Sequence, residues 1–123
     1  MKKISFLVLL SVSVLSVSAQ LQDTKWRNTM YIPDAVVIIF DFKKDTVSIH
    51  IAANGSLVET MTYTVSKDTL RLTKVSGTSP CSGGVTGDYK IELKEEKLYI
   101  SPINDPCSDR SNAFISTPWI KEK

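Results

Sequence analysis

Between Thr46 and Ile100 the chain alternates apolar and polar side chains with a period of two, in one short run after another. Met61, Tyr63 and Val65 share one face of Thr60–Ser66, with hydroxyl residues on the other. Val47, Ile49 and Ile51 oppose Thr46, Ser48 and His50 in the same way, and Leu70, Leu72, Tyr89, Ile91, Leu93, Leu98 and Ile100 continue the pattern. Side chains point to opposite faces of a strand at successive positions, so this spacing describes strands with one buried face. The β-branched and aromatic residues suit that setting. No window carries a sustained 3.6-residue period. The expected fold is therefore all-β.

Turn chemistry divides the pattern into about eight strands: Lys25–Tyr31, Ala35–Phe42, Thr46–Ala52, Leu57–Ser66, Thr69–Ser76, Asp88–Leu93, Lys97–Ile103 and Ala113–Ile120. Asn54-Gly55 reads as a type I′ hairpin turn, since both residues tolerate positive φ, and it outweighs the glycosylation-acceptor reading of Asn54-Gly55-Ser56. Lys67-Asp68 and Glu95-Glu96 separate further pairs. Val36–Phe42 is apolar almost throughout, which suggests a strand covered on both faces or lying at a contact surface. Short successive connections make an antiparallel meander, and eight such strands can close into an up-and-down barrel that has no edges. Two connections are longer, Gly77–Gly87 and Asn104–Asn112. Counting strand directions places both on the same rim.

The N-terminus has the form of an export signal. Met1-Lys2-Lys3 is basic, Ile4–Val17 is apolar apart from serines, and Val17-Ser18-Ala19 offers small residues for cleavage before Gln20. The apolar run is shorter than the roughly 20 residues of a spanning helix, and no later segment could span. The expected organisation is a signal peptide over 1–19 and one domain over 20–123, in a protein exported to the periplasm or beyond the cell. Export gives meaning to Cys81 and Cys107, the two cysteines of the chain. In an oxidising compartment an even pair is expected to close, and the two long loops bring both to one rim.

Two of the fifteen basic residues, Lys2 and Lys3, lie in the leader, leaving thirteen against thirteen acidic ones. A neutral domain lacks the electrostatic footprint of a nucleic-acid-binding or anionic-lipid-binding protein. The residues offer no catalytic motif. His50, the one histidine, sits on the polar face of its strand. Gly-x-Ser-x-Gly and His-Glu-x-x-His are absent, and Gly83–Gly87 opens onto a strand, so it cannot set phosphate on a helix N-terminus. Glu59 and Glu92 are the strand carboxylates, with nothing to indicate that they meet. No cofactor motif occurs. Asp34, Asp105 and Asp109 could share a rim as calcium ligands, but turn capping beside Pro106 explains them more simply.

An exported leader, Asp23-Thr24-Lys25-Trp26 at the start of the first strand, an eight-strand meander and the run Leu98–Arg110 ending in Asp105-x-Cys107-x-x-Arg110 are together similar to the small lipocalin-like (calycin-type) proteins that bacteria export. The resemblance implies a mostly non-enzymatic protein, with small apolar molecules inside the barrel or protein contacts outside it. Thr24 stands where the family signature has glycine. The family's arginine packs over the tryptophan, and here either Lys121 or Arg110 could cover Trp26; the strand count places Lys121 nearer.

The expected function is binding of a small apolar ligand in or at the mouth of the barrel. Met61, Tyr63 and Tyr89 are the candidate interior liners, and the two long loops gate access. The alternative is a protein-binding or inhibitor module acting through disulfide-linked rim loops. Tyr31, Asp105, Asp109 and Arg110 are its candidate contacts, and Pro33 and Trp119 its further exposed candidates. An eight-stranded barrel is just wide enough either to fill with side chains or to hold one small ligand.

Overall fold

The computed structural model describes residues 20–31, 34–114 and 118–122; the leader expected over 1–19, and Pro33, lie outside the described residues. Eight strands run in chain order: β1 (Thr24–Tyr31), β2 (Ala35–Phe42), β3 (Thr46–Ile51), β4 (Leu57–Ser66), β5 (Thr69–Gly77), β6 (Thr86–Lys94), β7 (Lys97–Asn104) and β8 (Trp119–Glu122). A short helix, α1 (Ser108–Ala113), precedes β8. Each strand pairs antiparallel with the next, and β8 returns to β1, so the sheet closes on itself. The all-β, single-domain, up-and-down barrel read from the alternation is the fold.

The period-two faces become the inside of the barrel. Val47, Met61, Tyr63, Leu70, Leu72, Tyr89, Ile91, Leu98 and Ile100 are all buried in one core, with Ile49, Val65 and Leu93 partly buried against it. On β2 the even-numbered residues Ile38, Phe40 and Phe42 are buried while Val37 on the other face is exposed, so that strand is covered on one side only. Closure removes the free edges that a meander would otherwise present.

The barrel has two unlike ends. Where β1 starts, Leu21 is fully buried beneath the strands, and Trp26 donates its indole N–H to Thr24 Oγ1 at 2.8 Å. Thr24 thus has a polar task, as the acceptor for the indole. Lys121 is the register partner of Trp26 and lines the same end; Arg110 lies toward the opposite rim.

Three local expectations are corrected. The last strand does not begin at Ala113: that residue ends α1, Phe114 follows as a turn, and β8 starts at Trp119. A six-residue helix is too short to show a 3.6 period and is held by tertiary contacts. Asn54-Gly55 is not a two-residue type I′ turn. Gly55 alone has positive φ (72°), in a longer connection closed by Gly55 N to Ile51 O and Ile51 N to Ser56 O. Gly87 is not part of the long connection between β5 and β6, because it belongs to β6 and pairs with Leu72.

Candidate functional site

The interior is filled unevenly. Around Phe40 the rings of Phe42, Phe114 and Trp119 pack edge-on or tilted, with centroids at 6.2, 5.4 and 4.3 Å, and Phe114 meets Tyr89 at 4.7 Å. Toward the upper rim of β1–β4, by contrast, a cavity of about 630 Å³ remains. Its walls include Met30, Val36, Ile38, Ile49 and Ile51, its deep side Phe40, Met61 and Phe114, and its roof Thr78–Cys81 with residues of α1. Small-molecule sites commonly fall in the range of roughly 300–1,000 Å³, mostly apolar with a few placed polar groups.

The roof is fastened at several points. Cys81 and Cys107 form the expected disulfide, and Cys107 is also the N-cap residue of α1. Closing that loop contributes roughly 3–4 kcal/mol on the chain-entropy account. Arg110, on α1, is buried and grips Asp105 with a two-pronged contact, Nε to Oδ2 at 2.6 Å and Nη2 to Oδ1 at 2.9 Å. Its Nη1 reaches Val85 O at 3.1 Å, which ties the helix to the β5–β6 connection. Asp105 also accepts from Cys107 N at 2.9 Å and from the Tyr89 hydroxyl. Burial pushes the Asp105 carboxyl up, but the hydrogen bonds from Arg110, Tyr89 and Cys107 outweigh it and hold the group below its ordinary value. Burial and the neighbouring carboxylate together push the Tyr89 phenol well above its own. Gly87 faces this group so closely that a Cβ there would lie 2.4 Å from the Asp105 carboxylate.

A second buried ion pair lies by the cavity. Glu59 and Lys74 are 4% and 7% exposed, with Nζ 3.5 Å from Oε1. Lys74 also donates to Ser79 O at 2.7 Å and Cys81 O at 2.6 Å, and the Ser79 hydroxyl donates to Glu59 Oε1. Gly77 packs against Glu59: its φ is 138° and a Cβ would meet Val58 O at 2.5 Å. Buried charges persist where they are paired and hydrogen-bonded, as both of these pairs are.

Of the residues singled out from the sequence, Met61 lines the cavity. Tyr63 does not: its hydroxyl donates to Lys43 O at the other end, beside the Phe42 ring. Tyr89 belongs to the packed side. Tyr31 is 73% exposed at the rim and also borders the cavity, as does the exposed Asp109. Asp105 and Arg110, expected as exposed contacts, are instead the buried clamp of the roof. Trp119 is fully buried, and its indole N–H has no partner among the described residues. His50 pairs with Ile39 on the outward face and is half-buried.

Glu59 was noted only as a strand carboxylate and its pairing with Lys74 was not anticipated, although the signal was present. Glu59 shares the odd-numbered inward face of Met61, Tyr63 and Val65, and Lys74 the even-numbered inward face of Leu70 and Leu72. A charge on the apolar parity of each of two neighbouring strands is the mark of an internal pair. No protein family, curated protein or solved structure matches this chain.

Proposed function

We propose that this chain is an exported, lipocalin-like carrier that holds one small, largely apolar molecule in the cavity beneath α1, acting by binding and not by catalysis. The observation that carries the reading is the asymmetry of the interior. One side of the barrel is packed with aromatic rings, while the side toward β1–β4 keeps a cavity of about 630 Å³ under a fastened roof. An apolar guest would gain on the order of 25 cal/mol for each Å² it removes from water there. The disulfide supports export. The packing of Leu21 into the core fits a mature chain that starts at Gln20.

The test is native mass spectrometry of the mature protein purified from its own source, set against its denatured mass. The carrier reading expects a native excess that vanishes on denaturation, and the lost species gives the ligand class. Equal masses, together with no uptake of an apolar fluorescent probe, would overturn it.

A further inference from the structure

We infer that the molecule held in this cavity ends in a hydrogen-bond donor, a hydroxyl or an amine, and not in a carboxylate. This rests on the carrier reading and specifies the chemistry of the same site.

The polarity of the Glu59–Lys74 pair relative to the cavity carries the argument. Glu59 lines the cavity, whereas Lys74 is not among the lining residues. Lys74 donates two of its ammonium protons, to Ser79 O and Cys81 O, and its Nζ lies 3.5 Å from Glu59 Oε1 as an ion pair. Its charge is therefore turned into the loop of the roof. Glu59 Oε1 is likewise occupied, by Lys74 and by the Ser79 hydroxyl. Glu59 Oε2 takes no hydrogen bond from the described residues. Nor is it one of the sealed, partnerless side-chain oxygens, which are Asp41 Oδ1 and Glu122 Oε2. Glu59 therefore brings to the cavity lining a carboxylate with one oxygen uncommitted among the described residues.

The other charges at the cavity agree. Arg110 is the cation among the lining residues, and its guanidinium is committed to Asp105 and Val85 O. Asp109 adds a second carboxylate at the mouth. An incoming carboxylate would meet Glu59 with no uncommitted cation among the described lining residues, in surroundings where repulsion between like charges is poorly screened. A hydroxyl or amine at the same place donates to Glu59 Oε2, while its hydrocarbon part covers Met30, Val36, Ile49 and Ile51. A hydrogen bond to a charged acceptor is stronger than one between neutral groups.

The experiment titrates the full mature protein, disulfide intact, at neutral pH with three probes of one chain length: 1-decanol, decylamine and decanoate. Calorimetry reads the affinities. The alcohol and the amine should each bind about tenfold or more tightly than the acid. In Glu59→Gln the amide N–H can stand in place of Oε2, so decanoate should tighten and the gap narrow or reverse. Decanoate binding the wild type as tightly as the other two would overturn the inference while leaving the carrier reading standing. An unchanged gap in a folded Glu59→Gln protein would overturn it as well. Should that variant fail to fold, the wild-type ranking decides alone. If none of the three probes binds, the carrier reading falls, and this inference with it.

Discussion

At the scale of single residues, the Asp105 clamp shows how a buried charge is tolerated. Both carboxylate oxygens are engaged, by Arg110, Tyr89 and Cys107 N. Removing one partner of such a pair strands the other, at a cost of about 3–5 kcal/mol. Asp105→Asn should therefore lose roughly that much stability in urea at pH 7. Because the folded carboxyl titrates below its ordinary value, its contribution is fully present above the unfolded value near 3.9 and is lost as pH falls through the lower folded value. The gap between wild type and Asp105→Asn should accordingly close in acid, and a constant gap down to pH ~2 would contradict it. Gly87→Ala is expected to weaken the same clamp without touching a charge, by about 1–3 kcal/mol, since the Cβ has nowhere to go. In the sequence Asp105 and Arg110 stood out as the ends of the run Asp105-x-Cys107-x-x-Arg110 and as candidate rim contacts, but not as each other's buried partner. Nothing local distinguishes a solvated loop charge from one that meets its partner five residues on, inside a barrel.

At the scale of elements, strands were legible and the segments between them were not. A strand announces itself through alternation, which depends on one buried face and extends over six to ten residues in β1–β7. Turns depend on backbone torsions that many residues can adopt. Glu95 and Glu96 both take positive φ, 53° and 62°, in the two-residue turn between β6 and β7. Left-handed backbone at a residue with a side chain costs on the order of 1 kcal/mol, so Glu95→Asn with Glu96→Gly should stabilise the protein by about that amount or more, read as a higher urea midpoint with unchanged slope. The short helix makes the complementary point. α1 is held by Cys107, Arg110 and the insertion of Phe114 among Phe40, Tyr89 and Trp119. Phe114→Ala should cost about 3–5 kcal/mol and enlarge the cavity floor, and a larger probe should then bind more tightly relative to a small one.

At the scale of the molecule, closure is cooperative but uneven. β4 pairs with β5 over eight register positions, whereas β8 pairs with β1 over three and with β7 over two. Amide protons of β8 should exchange first and those of β4 and β5 last; uniform protection around the barrel would contradict this account. The disulfide acts on the roof and not on that seam. Replacing both cysteines by alanine should cost about 3–4 kcal/mol and speed ligand release, with the barrel still folded, as far-ultraviolet circular dichroism would show.

The sequence by itself determined that this is an eight-strand antiparallel meander, which face of β3 to β7 turns inward, and which two cysteines can meet. Those properties follow from alternation and from counting strand directions, and both are local. Only the tertiary structure decided how full the barrel is, because filling depends on side chains from distant strands and on Phe114 arriving from a helix outside the strand pattern. It likewise decided that Asp105 and Arg110 are buried together, and that Lys74 turns from the cavity while Glu59 remains. Each of those outcomes is a competition for neighbours in space, and one-dimensional periodicity holds no record of who wins it.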